Sequence, residues 1–193
     1  VYRESGKVLF LDMEELSILQ MLTKQQGNRS FVDLLYLMTR QEAGGEDLRT
    51  YTNCFMGVDY VSPFAGPEEM ADVEKETWLA FFQQLVASDY DTVVLLFGRT
   101  IRGFQEIISG CQELIVLGKP GDYYRMSQGK FVEYAENHYA GVQVHEVLLP
   151  MSAGNLVDGT YAVEELIQGN LGMFVRRMIR QGVIAQGLAY GIG

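Results

Sequence analysis

Five short runs of aliphatic and β-branched residues punctuate the chain, at 8–11, 58–61, 93–97, 114–117 and 144–149. Several are apolar at every position rather than alternating, which is what a strand needs when both of its faces are covered. Longer stretches with apolar residues at helical spacing lie between them. This succession predicts an α/β fold: a mostly parallel sheet with helices on both faces.

The helix signals agree with that order. Ser30 followed by Asp33 is a capping-box-like start for a helix over 31–38, with Asp in place of the longer Glu or Gln. Gly44 and Gly45 mark a loop. After the second run Pro63 and Pro67 break the chain, and Glu68 and Glu69 suit a first helical turn, where acids meet the positive end of the helix dipole. The next helix carries Trp78, Leu79, Phe82, Leu85 and Val86 on one side, a stripe expected to be core. Phe104, Ile107 and Ile108 mark a short helix ending near Gly110, and Lys119-Pro120-Gly121-Asp122 reads as a turn. Further helices are expected over 126–139 and 163–179, the second interrupted by Gly169 and Gly172. Residues 182–193 hold four glycines among small apolar residues. The expected organisation is one domain over 1–181 and a Gly-rich tail over 182–193.

Length and charge narrow the function classes. A chain of 193 residues is long enough for one core that hides roughly 70% of its unfolded surface. No apolar run approaches the ~18 residues of a membrane span, so stable membrane insertion is not expected. The net charge of −10, from 25 acids against 15 bases, repels phosphate backbones, and no nucleic-acid partner is expected. Arg176, Arg177 and Arg180 form the one close basic cluster and read as a solvated helix face. Cys54 and Cys111 have no metal-type spacing and read as reduced thiols of a cytoplasmic protein. His138 and His145 read as ordinary surface or boundary histidines, and no G-x-S-x-G elbow supports a hydrolase triad. No metal site is expected. The first six residues contain neither Met nor an apolar signal core, and read as an internal start.

Three segments carry a resemblance to a known family. They are GKVLFLDMEE at 6–15, YDTVVLLFG at 90–98, and CQELIVL at 111–117 followed by VLLP at 147–150. Together they resemble the MinD/ParA family of P-loop ATPases, closest to its divergent pilus-assembly (CpaE-like) members. The resemblance implies that 6–15 is the family's second strand with its acidic end. It also implies that 90–98 is the strand that carries the Walker B acid.

Two departures then set the functional expectation. In the family a Gly-rich loop precedes the segment at Gly6, because its backbone N–H groups and lysine cradle the phosphates at a helix N-terminus. No G-x-x-x-x-G-K-[ST] pattern occurs in these 193 residues. Aligning Asp91 with the family's acid before the third strand puts Leu96 where the metal-water carboxylate stands, and leucine offers Mg²⁺ no oxygen. The fold is thus expected to be P-loop NTPase-like but incomplete or degenerate.

The resemblance maps the family's switch acid onto Glu14, with Asp12 two residues earlier on the same side of the strand; inert, solvated acids are the plain alternative. Gly98, Arg99 and Arg102 lie in a loop after a parallel strand, where open α/β sheets bind ligands. Their arginines suit an anionic cofactor, against the alternative of a flexible exposed loop. No cofactor is expected for this chain, with ATP and Mg²⁺ implied only where a P-loop lies upstream.

Two functions stay open. One is an interaction or scaffold module, a pseudo-ATPase whose partner is another protein or a second copy. The other is an ATP-dependent dimeric switch that positions a pilus or secretion assembly. The resemblance also implies that the phosphate-loop strand separates 93–97 from 114–117, and without it the expectation is direct pairing of those two strands, or a lost upstream segment, rather than insertion of the tail.

Overall fold

The computed structural model describes residues 6–24, 29–39, 48–98, 101–119, 121–148 and 168–180. The chain forms two compact units, Val1–Phe104 and Gln105–Gly193. In order along the chain the elements are β1 (Val8–Asp12), α1 (Leu19–Thr23), α2 (Phe31–Thr39), β2 (Thr52–Phe55), β3 (Val58–Val61), α3 (Pro67–Ala71), α4 (Lys75–Val86) and β4 (Thr92–Leu96). They continue as α5 (Phe104–Ser109), β5 (Glu113–Gly118), α6 (Asp122–His138), β6 (Gln143–Leu148) and α7 (Asn170–Arg180).

In the first unit four strands hydrogen-bond in the order β2-β3-β1-β4, with β1 parallel to both β3 and β4. Val8, Leu9, Leu11 and Asp12 are all buried, so both faces of β1 are covered, as an apolar run without alternation requires. The antiparallel strand β2 was not expected from the sequence. It pairs with β3 through a two-residue turn in which Met56 and Gly57 both take positive φ, 52° and 82°, the twist that suits a tight hairpin.

The core of this unit is aromatic. Phe31 of α2 stacks on Phe64 at 4.9 Å and meets Trp78 and Phe81 of α4 edge-on at 5.8 and 5.3 Å. Trp78, Phe81 and Leu85 are buried at the helical spacing. Trp78 and Leu85 are thus core as expected, whereas Leu79 and Phe82 are half-buried, Val86 is exposed and Phe81 takes the inward place expected of Phe82. The start of α2 is the reciprocal cap that Ser30 and Asp33 imply, since Asp33 Oδ2 accepts the Ser30 N–H at 2.7 Å and Ser30 Oγ accepts the Asp33 N–H at 3.3 Å.

In the second unit β5 and β6 pair in parallel from Glu113↔Gln143 to Gly118↔Leu148. Helix α6 begins four residues before its expected start, at Asp122 after Gly121, whose φ of 118° only glycine adopts readily. In the terminal helix Arg176 and Arg177 are exposed, as a solvated basic face requires. Three of the four strand pairings among the described residues are parallel. Among the described residues β4 pairs with β1 and β5 pairs with β6, and no ladder joins 93–97 to 114–117; of the two arrangements expected, direct pairing is thus not seen, and a lost upstream segment is not tested by these residues. Residues 182–193, like 163–167, lie outside the described residues.

Candidate functional site

The C-terminal ends of β1, β3 and β4 lie at one end of the first sheet, because all three strands run in the same direction. That end collects the acids singled out in the sequence. Asp12 closes β1 and is only 5% exposed. One of its carboxylate oxygens accepts the Glu14 N–H at 3.0 Å and the other accepts the Ser17 hydroxyl at 2.5 Å. Ser17 Oγ in turn accepts the Leu19 N–H at 3.1 Å, so Asp12 holds the whole turn between β1 and α1. Ser17 was not singled out in the sequence; the D-x-E-x-x-S spacing was its available signal.

Glu14 and Gly98 are brought together. A Cβ added at Gly98 would stand 3.0 Å from Glu14 Oε1, so the carboxylate rests where any larger residue would push it away. The chain is held in place here by the Met13 N–H, which donates to the Leu96 carbonyl at 2.8 Å. Arg102 is ion-paired with Glu74 on the exposed surface. Arg99 lies outside the described residues.

Asp12 directs both oxygens to donors of its own loop, and its partner across the β1–β4 ladder is Leu96, which has no ligand atom. Among the described residues no cluster of three or more His, Cys, Asp or Glu could hold a metal ion. His145 Nε2 comes within 4.0 Å of Glu113 on the neighbouring strand, while His138 Nδ1 lies 2.8 Å from the Tyr134 carbonyl on the exposed face of α6. Cys54 and Cys111 are free thiols, and burial pushes both above the usual thiol range, which disfavours the reactive thiolate.

Beyond the acids the same loop presents a feature that sequence reasoning missed. Leu16, Ile18, Met21 and Leu22 are between 40% and 78% exposed, four large apolar side chains within seven residues. The signal was available: the five-residue helix α1 is too short to bury the apolar residues that 16–22 supplies. Among the described residues no helix is long and apolar enough to cross a membrane.

The comparisons with known proteins bear on the fold. No protein-family profile matches the sequence, and no curated protein matches it. Among solved structures the likeness is to P-loop NTPases of the ParA/MinD type, and that is the fold of this chain. The ParA family ATPase from Chlorobium tepidum superposes with a TM-score of 0.61 at 16% identity, over 86% of this chain and 67% of that one. The MinD cell division protein of Aquifex aeolicus gives 0.55 at 13% identity, over 86% and 66%. Cobyrinic acid a,c-diamide synthase from Mycobacterium smegmatis, solved with an ATP analogue and magnesium, gives 0.55 at 15% identity, over 86% and 70%. The chain thus spans about two thirds of the length of the first two.

Proposed function

We propose that this ParA/MinD-like chain acts as a cytoplasmic protein-interaction or scaffold module that does not turn over ATP. The observation that carries this reading is the loop after β1. Asp12 holds it in shape through Glu14 N–H and Ser17, and it displays Leu16, Ile18, Met21 and Leu22 to solvent. A cluster of exposed large apolar side chains on a rigid loop marks an interaction site. Leu96, which offers no ligand atom beside Asp12, is what speaks against nucleotide chemistry at this strand end. The partner is another protein, of the kind that pilus assembly employs, or a second copy.

A second reading is favoured by the likeness to ATPases, one of them solved with an ATP analogue and magnesium. In it, a P-loop upstream of these residues completes an ATP-dependent dimeric switch that positions a pilus or secretion assembly. The first reading is tested by comparing the chain with a Leu16→Glu, Met21→Glu variant in sedimentation velocity and in a two-hybrid screen. It expects the variant to keep its unfolding midpoint while losing a specific partner or self-association that the unaltered chain shows. Identical behaviour of both chains would remove the loop from any interaction.

A further inference from the structure

The first two turns of α6 stand apart from the rest of their helix. Later in α6, Gln128 and Ala135 are buried and the helix packs on β5 and β6. Every residue from Gly121 to Ser127 is exposed, and so is Lys119 before them. A solvated helix start is ordinarily polar, yet this one carries Tyr123, Tyr124 and Met126, with Tyr123 80% and Met126 74% exposed. The Tyr123 and Tyr124 rings meet edge-on at 5.6 Å, and Lys119 Nζ lies 5.9 Å from the Tyr124 ring centre.

We propose that this segment is a docking surface for an acidic, aromatic-bearing segment of a partner protein. The charge balance selects that occupant. The chain as a whole has 25 acids against 15 bases, whereas this stretch sets Lys119 and Arg125 against Asp122 alone. A locally basic, aromatic surface on an acidic protein complements an anionic peptide, and tyrosine and arginine are among the residue types enriched at the energetic centres of interfaces.

The surface is also held ready. Gln128 Nε2 donates to the Val116 carbonyl at 2.8 Å and to the Val147 carbonyl at 3.4 Å, tying α6 to both strands. Its amide lies directly against Gly118, where any Cβ would displace it. Little conformational freedom is then lost when a partner binds the turns just before this anchor. The inference does not rest on the loop after β1.

The test uses the full chain and three fluorescent probes: a short peptide of Glu and Phe, the same peptide with Lys for each Glu, and a single-stranded oligonucleotide of similar length. Fluorescence anisotropy should show preferred, salt-sensitive binding of the Glu peptide. Lys119→Glu with Arg125→Glu, and separately Tyr123→Ala with Tyr124→Ala, should each weaken it roughly tenfold at low salt. All these side chains are solvent-facing, so the unfolding midpoints should stay unchanged, and that is measured alongside. The proposal is overturned by no binding of the Glu peptide, by equal binding of the Lys peptide, by tighter binding of the oligonucleotide, or by affinities that ignore both variants. Self-association abolished by the same substitutions would overturn it too, in favour of a second copy.

Discussion

Where β1 and β4 begin, the first sheet is fastened by polar contacts between segments far apart in the chain. The Lys7 N–H donates to Asp91 at 2.7 Å, the Lys7 ammonium pairs with Asp89 at 2.6 Å, Arg49 pairs with the same Asp89, and the Tyr90 hydroxyl donates to Asp59 at 3.0 Å. Where the same strands end, the side-chain bonds of Asp12 reach only two and five residues ahead. The difference separates structure from display. Polar groups at the entry end close the sheet, whereas those at the exit end shape a loop whose apolar side chains are left facing solvent.

Both ends rest on one aromatic core, and its loss should have the largest effect. Trp78→Ala is expected to cost about 3–5 kcal/mol, since Trp78 is fully buried against Phe31, Phe64 and Phe81. A chemical denaturation midpoint that does not move would mean that α4 turns this face outward, and the comparison would lose its common base. At the exit end, Asp12→Ala should cost about 1–3 kcal/mol, because it strands the Glu14 N–H and the Ser17 hydroxyl. Leu16→Ala beside it should change stability by less than about 0.5 kcal/mol, as for other exposed sites. Equal costs for the two would erase the distinction between the residue that shapes the loop and the residue it displays.

The smallest effect tests the entry end by pH. Desolvation pushes the Tyr90 hydroxyl up to about 12, with its bond to Asp59 acting in the same direction. A raised folded value means that Tyr90 contributes stability in full below its unfolded value of about 10 and loses it as pH rises toward 12. Because Tyr90 keeps contact with solvent, the loss should be a fraction of what a fully buried group would give. Tyr90→Phe should flatten the fall in stability across that window. An unchanged alkaline slope would show that Tyr90 does not couple to folding there.

Much of the fold was legible because its cause is local. The runs at 8–11, 58–61, 93–97, 114–117 and 144–149 each contain a strand or most of one, since an apolar run flanked by turn residues has little other use in a chain of this size. Strand β2 was not legible: Thr52-Asn53-Cys54-Phe55 neither alternates nor runs apolar, and it is a strand because β3 lies within reach of a two-residue turn. The inward place of Phe81 rather than Phe82 depends on how α4 rolls against Phe31, a tertiary fact. The early start of α6 put Tyr123 and Tyr124 on a helix, between the turn expected at 119–122 and the helix expected from 126.

Of the candidate site, Asp12, Glu14 and Gly98 do gather at the strand ends, as strand direction alone requires. Arg102 turns instead to Glu74, a choice among exposed partners that no spacing rule decides.

Under the proposed function, the exit end of this sheet serves a partner and not a nucleotide. Calorimetric titration of ATP with Mg²⁺ into the chain tests it most directly, because Asp12 is occupied by its own loop and Leu96 stands at its side. The account predicts no saturable heat at micromolar nucleotide. A micromolar dissociation constant that Asp12→Ala abolishes would contradict it.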